Sequence, residues 1–307
     1  MKRKVIQLAG KTHVVSLPSK WVKHYNVSKG DEIELEEQGN TILLKPSKQE
    51  TELKKISLNI DNFNERTFRY AMSALHKAGY DEITLYHETP KLKEVTQNLI
   101  QNLMLGFVVM EQTSKKLVLK NVANEIESEF NPALRRAFLV TISLSNSSLD
   151  MIISKQFSNL SSLINLEMSN NQLTSFCLRL MNKGFYKDQD KKIFLATVVW
   201  SLEKIGDEYK SICINLTDNK NEINKEIINL YKEVNILFSS YYELFYNFSP
   251  EKLNGLSDRK YEINTKINKI KTSTEYETKL LMKLSTIVSK TADLSSSIFA
   301  LNHEKLK

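Results

Sequence analysis

Glycine is poorly tolerated inside helices, and its distribution divides this chain into two parts. Gly10, Gly30, Gly39, Gly79 and Gly106 lie among the first 110 of 307 residues, and only Gly184, Gly206 and Gly255 follow. Because glycine marks turns and weakens element interiors, the first part is expected to hold short elements joined by tight turns. The rest is expected to be long helices. From Pro132 onward the pattern is helical, and breaks at Asn159, Lys187, Asn219, Pro250 and Thr274 give six helices in two sets of three.

The opening residues have an uneven charge. Lys2, Arg3, Lys4, Lys11, Lys20, Lys23 and Lys29 precede the first acid, Asp31, and the five acids of residues 1–48 all fall between Asp31 and Glu37. The chain as a whole carries +7, so the excess of base acquires meaning from this clustering. Strands are expected at Lys4 to Leu8 and His13 to Leu17, divided by Ala9-Gly10-Lys11. A helix of about two turns begins at Pro18, where proline fixes φ. Two more strands, Glu32 to Glu36 and Thr41 to Lys45, meet at Gln38-Gly39-Asn40, and Pro46 closes the unit. Fewer than fifty residues in five short elements bury too little to stand alone, so dimerisation is expected.

Residues 52–125 read as a mixed α/β spacer or dimerisation unit. Strands are expected at Leu53 to Ile60, Asp81 to His87, Phe107 to Gln112 and Lys116 to Lys120. One helix carries the stripe Phe68, Ala71, Met72, Leu75, Ala78 before Gly79, and a second spans Lys91 to Leu105. Neither GxGxxG nor GxxxxGK[ST] occurs. With no nucleophile elbow, zinc signature or phosphate loop, the chain is expected not to be an enzyme.

In the helical part the segment SLEKIGDEYKSI, residues 201–212, stands out. At 100° per residue Thr197, Ser201, Lys204, Glu208, Ser211 and Asn215 form the expected solvent face. Glu203 and Asp207 share a flank with Ala196, Trp200 and Ile214, beside an apolar stripe of Val198, Leu202, Ile205, Tyr209 and Leu216. Carboxylates there need a counter-charge, either a metal ion or Lys and Arg from neighbouring helices. The aromatic run FSSYYELFYNF, residues 238–248, is expected to be bundle core with tyrosine hydroxyls at its rim. Arg135-Arg136, with Glu127 and Glu129 upstream, suggests an ion-pair network at a helix start. Only Cys177 and Cys213 occur, too few for a disulfide framework. No signal peptide or transmembrane span is read from the pattern, and a reducing, cytoplasmic location is expected.

Two resemblances carry function. RKVIQLAGKTHVVSLPSKWVKHYNVSKGDEIELEEQGNTILLKP resembles the AbrB/SpoVT/MazE-type swapped-hairpin domain, in which two chains interleave hairpins into one β-barrel that binds DNA. The resemblance covers residues 2–46 and implies a homodimer through this domain. It also implies that Arg3, Lys4, Lys11, Thr12, Lys20 and Lys23 face double-stranded DNA, while the strand from Asp31 faces away. SLEKIGDEYKSI, with LEMSNNQL on the preceding helix, resembles the PhoU signature of a three-helix bundle. A second copy is similar, with Asp258 and Glu262 in DRKYEI and Ser289 and Asp293 in SKTADLSSS, at offsets of 91 and 86 residues.

In that family such carboxylates bind metal, so the resemblance implies divalent or iron-type ions at Glu167, Glu203, Asp207, Asp258, Glu262 and Asp293. Asn171 and Ser289 stand where the pattern has acids. The order of modules resembles archaeal phosphate-uptake regulators. The expected architecture is multidomain and mainly α: residues 1–48 as the AbrB-like barrel, 52–125 as the small α/β unit, and 131–307 as a pair of PhoU-like three-helix bundles. The implied function is transcription regulation of phosphate uptake or metabolism, with a phosphate-signalling protein as a further partner. The other reading is a PhoU-like adaptor that restrains a phosphate transporter without binding DNA.

Overall fold

The computed structural model describes residues 1–46, 53–87, 93–123, 125, 127–186, 188 and 190–306. The expected helix start at Lys91 and break at Lys187 lie outside the described residues. The chain divides into two compact units, Met1–Leu53 and Lys54–Lys307.

Unit 1 holds two antiparallel hairpins and a short helix. Strands β1 (Ile6–Leu8) and β2 (Thr12–Val14) pair with Leu8 opposite Thr12. Ala9 and Gly10 both take positive φ, 48° and 72°, and the Lys11 N–H donates to the Leu8 carbonyl at 3.3 Å. This is the primed-turn geometry whose twist suits a tight hairpin. Helix α1 (Ser19–His24) follows Pro18 and buries none of its residues. Strands β3 (Ile33–Gln38) and β4 (Thr41–Pro46) turn at Gly39, where φ is 59°. The two hairpins form separate two-stranded sheets.

Unit 2 begins with a four-stranded sheet in the order β5-β6-β8-β7. Strand β5 (Lys55–Asn59) runs parallel to β6 (Glu82–Tyr86), with helix α2 (Glu65–Lys77) connecting them. Helix α3 (Lys93–Asn102) leads to β7 (Phe107–Gln112), which pairs antiparallel with β8 (Lys116–Asn121), itself antiparallel to β6. Asn64 caps α2 by accepting the Thr67 N–H at 2.8 Å, and Gly79 ends it with φ 83°. The expected stripe is the inner face of α2: Phe68 and Met72 pack with Ile83, Leu85, Leu117 and Leu119 in one apolar core.

Helices α4 (Phe130–Ile153), α5 (Ile164–Asn182), α6 (Lys192–Leu216), α7 (Lys225–Tyr246), α8 (Pro250–Ile267), α9 (Glu275–Asp293) and α10 (Ser295–Asn302) follow. Their boundaries have local causes. Ser249 caps α8 ahead of Pro250, and Thr274 caps α9 by accepting the Glu277 N–H at 3.2 Å, while the Glu277 carboxylate accepts the Ser273 N–H at 2.8 Å. Helices α4, α5 and α6 pack on one another, as do α7, α8 and α9, and the α6–α9 and α4–α7 contacts join the two sets around one apolar core. No helix among the described residues is long and apolar enough to cross a membrane.

The α/β layer and the helices, expected as separate domains, lie within one compact unit. A buried polar joint connects their two cores. Arg179 of α5 has no exposed surface; it donates to Asp81 at 2.6 Å and to Glu125 at 2.5 Å, and to the carbonyls of His76 at 3.2 Å and Tyr80 at 2.5 Å. Lys183, one turn on, reaches Asp81 at 2.6 Å and Glu125 at 2.8 Å. Asn182 donates to the Lys77 carbonyl at 2.8 Å. Side chains of α5 thus cap the C-terminal carbonyls of α2, where cations are favoured. Gly79 makes room: a Cβ there would lie 2.7 Å from Lys183 Cγ.

His76 faces Ser175 across the joint at 2.8 Å, and burial together with the Arg179 charge pushes its imidazole down to about 3. Burial alone would raise the Asp81 carboxyl, but Lys183, the Lys54 N–H and Arg179 outweigh it and hold it below its ordinary value.

Removing one member of a buried pair leaves an unmatched charge. Arg179→Ala is expected to lower unit 2 stability by about 3–5 kcal/mol in urea denaturation. Arg179→Lys should recover little, because an ammonium lacks the planar fork that meets two carboxylates and two carbonyls. A carboxyl with a lowered folded pKa adds stability above its unfolded value, about 3.9, and loses it as pH falls through the folded value. Asp81→Asn should therefore be less stable than wild type near neutrality, with the difference shrinking below about pH 4.

Candidate functional site

Two regions hold the residues singled out by sequence. The first is unit 1. Arg3, Lys4, Lys11, Thr12, Lys20 and Lys23 are all exposed: Arg3 and Lys4 precede β1, Lys11 and Thr12 lie at the hairpin turn, and Lys20 and Lys23 are on α1. The turn is braced by Gln7, whose side-chain amide donates to the Gly10 carbonyl at 2.9 Å. The acids Glu34 and Glu37 are exposed on β3, in the other hairpin. The first hairpin and α1 thus carry cations and no acid, whereas the second hairpin holds the acids, with Lys45 opposite Glu34.

The apolar residues of unit 1 are exposed as well. Val5, Ile6, Leu8, Val15, Leu35 and Ile42 have between 53% and 68% of their surface open, and Leu43 has 40%. Among the unit's described side chains only Pro46 is buried. Such a unit lacks the interior that folding requires.

The second region is the carboxylate set. Glu167 on α5 is fully buried and pairs with Lys210 of α6 at 2.9 Å, and Asn171 donates to it from the next turn. Burial raises the Glu167 carboxyl above its ordinary value; Lys210 opposes this and Asp207 adds to it. Glu203 pairs with Lys77 of α2 at 3.2 Å and with Lys204 at 3.2 Å, and Lys204 also holds Asp207 at 3.0 Å. Helices α5 and α6 approach closely here because position 206 is glycine: a Cβ would lie 2.2 Å from Asn170 Nδ2, which donates to the Leu202 carbonyl at 3.2 Å.

Asp258, Glu262 and Asp293 are exposed on α8 and at the end of α9. Among the described residues no group of three or more His, Cys, Asp or Glu is placed to hold a metal ion. This donor set does not fit the metal cluster that the resemblance implied. Hard cations need converging oxygens, and here ammonium groups accompany the first three carboxylates. The counter-charge is lysine.

Helix α6 departs from the expected wheel in one further respect. Its apolar stripe is buried as read, with Val198, Leu202, Ile205, Tyr209 and Leu216 at most 1% exposed. On the face assigned to solvent Thr197 is exposed, but Glu208 meets α9, pairing with Lys283 at 2.9 Å and Lys290 at 3.6 Å. Solvent lies over Trp200 and Ile214, half exposed. In α7 the aromatic run is core, but Tyr241 is wholly buried with its hydroxyl rather than at the rim. Arg135 donates to the Tyr242 hydroxyl at 3.2 Å and lies over the Tyr246 ring.

Sequence reasoning missed the joint at Arg179, Lys183, Asp81 and Glu125. A signal existed in the polar stripe Ser175, Arg179, Asn182, spaced i, i+4, i+7 beside the apolar Phe176, Cys177 and Leu180.

Residues 6–52 match a family model described as antidote-toxin recognition MazE, bacterial antitoxin. The matched stretch lies in unit 1, and the chain is similar to that family there. No curated protein and no solved structure matches the chain.

The Glu167–Lys210 pair gives a direct test. Lys210→Ala leaves a buried carboxylate without its ammonium and is expected to cost on the order of 2–3 kcal/mol in denaturant unfolding. Adding Glu167→Gln should recover most of that loss, since the amide carries no charge to desolvate.

Proposed function

We propose that the chain is a homodimeric DNA-binding regulator. One observation carries the reading: Arg3, Lys4, Lys11, Thr12, Lys20 and Lys23 stand exposed on the first hairpin, its N-terminal approach and α1 in a unit with no interior of its own. A second copy that completes the core brings a second set of cations, doubling the charge presented to the phosphates of a duplex. Arginine and lysine there neutralise phosphates and release counterions. Arg3, Lys11 and Thr12, near or on a hairpin able to enter a groove, are the groups for base edges. The similarity to the MazE family over residues 6–52 supports this choice.

In the finer form of the proposal, the helical part of unit 2 is the PhoU-like responsive part of a regulator of phosphate uptake or metabolism, with a phosphate-signalling protein as partner. Support comes from DRKYEI and SKTADLSSS as a second copy of the pattern in LEMSNNQL and SLEKIGDEYKSI, and from the packing of α4–α6 and α7–α9 as two sets of three. No metal ion enters this reading.

The similarity to an antitoxin family also favours a second reading, in which unit 1 recognises a toxin protein. The segregated, exposed cations favour nucleic acid.

Titration of the full chain against duplex DNA, followed by fluorescence anisotropy, separates these readings. Binding is expected at about 50 mM salt and to weaken by orders of magnitude by about 200 mM. Arg3→Ala, Lys4→Ala and Lys11→Ala together remove six contacts from a dimer. They should flatten the slope of log affinity against log salt by about 5 while leaving the dimer intact, because exposed bases add little to folding. Absence of binding at about 50 mM salt would leave the adaptor or toxin-recognition reading.

A further inference from the structure

The sheet of unit 2 has two edges of different construction. At one edge, β5 opens with Lys55, paired with Glu82 at 3.3 Å, directly after Lys54. Lysine at an edge discourages further strand pairing. At the other edge, β7 is hydrogen-bonded to β8 on one side, and its first four residues, Phe107-Val108-Val109-Met110, include neither charge nor proline. Val108, Val109 and Met110 are 38%, 37% and 58% exposed, and Leu105 and Val122 beside them 38% and 59%. An apolar, unguarded edge of this kind is a template for another strand.

The backbone fixes which residue would lead the pairing. The Val122 N–H donates to the Gly106 carbonyl at 2.8 Å, so Gly106 and Val122 form a hydrogen-bonded pair. Antiparallel alternation makes Val108 and Lys120 the next such pair. Val109, opposite Leu119, therefore turns its own N–H and C=O away from β8. The register irregularity falls after Val109, between it and Glu111, and leaves this position regular.

We infer that β7 pairs antiparallel with β7 of a second copy of this chain about a twofold axis at Val109, joining two four-stranded sheets into one. Val109 then exchanges both backbone bonds with its counterpart. Val108 lies opposite the partner's Met110 and Phe107 opposite the partner's Glu111, so no like charges are opposed. Glu111 keeps its own cation, Lys116, at 2.7 Å.

The inference rests on the homodimer of the proposed function, and that dimer is what selects a second copy as the occupant. One six-residue strand pair buries less than the ~1,200 Å² typical of a free-standing interface. Once unit 1 has joined two chains, each β7 meets the other at an effective concentration in the range of about millimolar. The β7 contact is thus a second contact of the same dimer, too small to form without the first.

Disulfide trapping in the full chain tests this. Residues facing each other in a hydrogen-bonded antiparallel pair have Cα atoms about 5.5 Å apart, within disulfide range. The native Cys177 and Cys213 are buried, and burial pushes their thiols up, so both stay silent. Under mild oxidation Val109→Cys is expected to give a covalent dimer, whereas Ser57→Cys, exposed on the β5 edge, is not. Light scattering of the wild-type chain reports the dimer independently.

A dimeric wild type in which Val109→Cys links no faster than Ser57→Cys overturns the β7 pairing and leaves the unit 1 dimer standing. A monomeric wild type overturns both. Val109→Lys, at an exposed position, should keep the unfolding profile of unit 2 and raise the dimer dissociation constant about tenfold; an unchanged constant counts against the pairing.

Discussion

The missing interior of unit 1 is the constraint on which the functional reading depends. Fully burying an aliphatic side chain is worth about 1.5–3 kcal/mol. Leaving Val5, Ile6, Leu8, Val15, Leu35, Ile42 and Leu43 in water forgoes on the order of 10 kcal/mol, comparable with the whole stability of a typical domain. The other apolar residues of the unit, such as Trp21, Val22, Ile33 and Leu44, are only half-buried and do little to offset that loss. In the proposed dimer a second copy supplies the complementary surface, and the same association doubles the array of Arg3, Lys4, Lys11, Lys20 and Lys23. Stability and electrostatics therefore favour one arrangement.

Unit 2 addresses a different problem, that of holding two apolar cores in a fixed relation. An apolar seam would be more forgiving of register. The Arg179 guanidinium instead meets Asp81, Glu125 and two carbonyls, and Lys183 meets the same two carboxylates. Such a network adds little net stability because both signs of charge must be desolvated, but it leaves few alternative geometries. Helix α5 joins the helices to the α/β layer through Arg179 and Lys183, and the Lys77–Glu203 pair adds a second link from α6.

Local chemistry made much of the fold legible. Ala9-Gly10, Gly39, Gly79, Pro250 and Thr274 each act within a few residues, and each stands at the turn, cap or helix end read from it. The inner faces of α2 and α6 followed from period alone. What escaped was decided by partners distant in sequence. Lys77 meets Glu203 from 126 positions away, and Arg179 meets Asp81 from 98. Glu208, on the expected solvent face of α6, is taken by Lys283 of α9, which no single helical wheel can show. The same blindness applied to the carboxylates: their spacing announced a need for positive charge, and only packing revealed that lysine meets it.

Amide hydrogen exchange of unit 1, followed as the full chain is diluted, tests the central claim most directly. If two copies share one core, amides of β3 and β4 are protected at high protein concentration and lose protection together as the dimer dissociates, while those in α5 and α6 hold theirs. Protection of β3 and β4 that persists unchanged in a monomer would contradict the account, because it would mean that one copy of unit 1 is stable with its apolar residues in water.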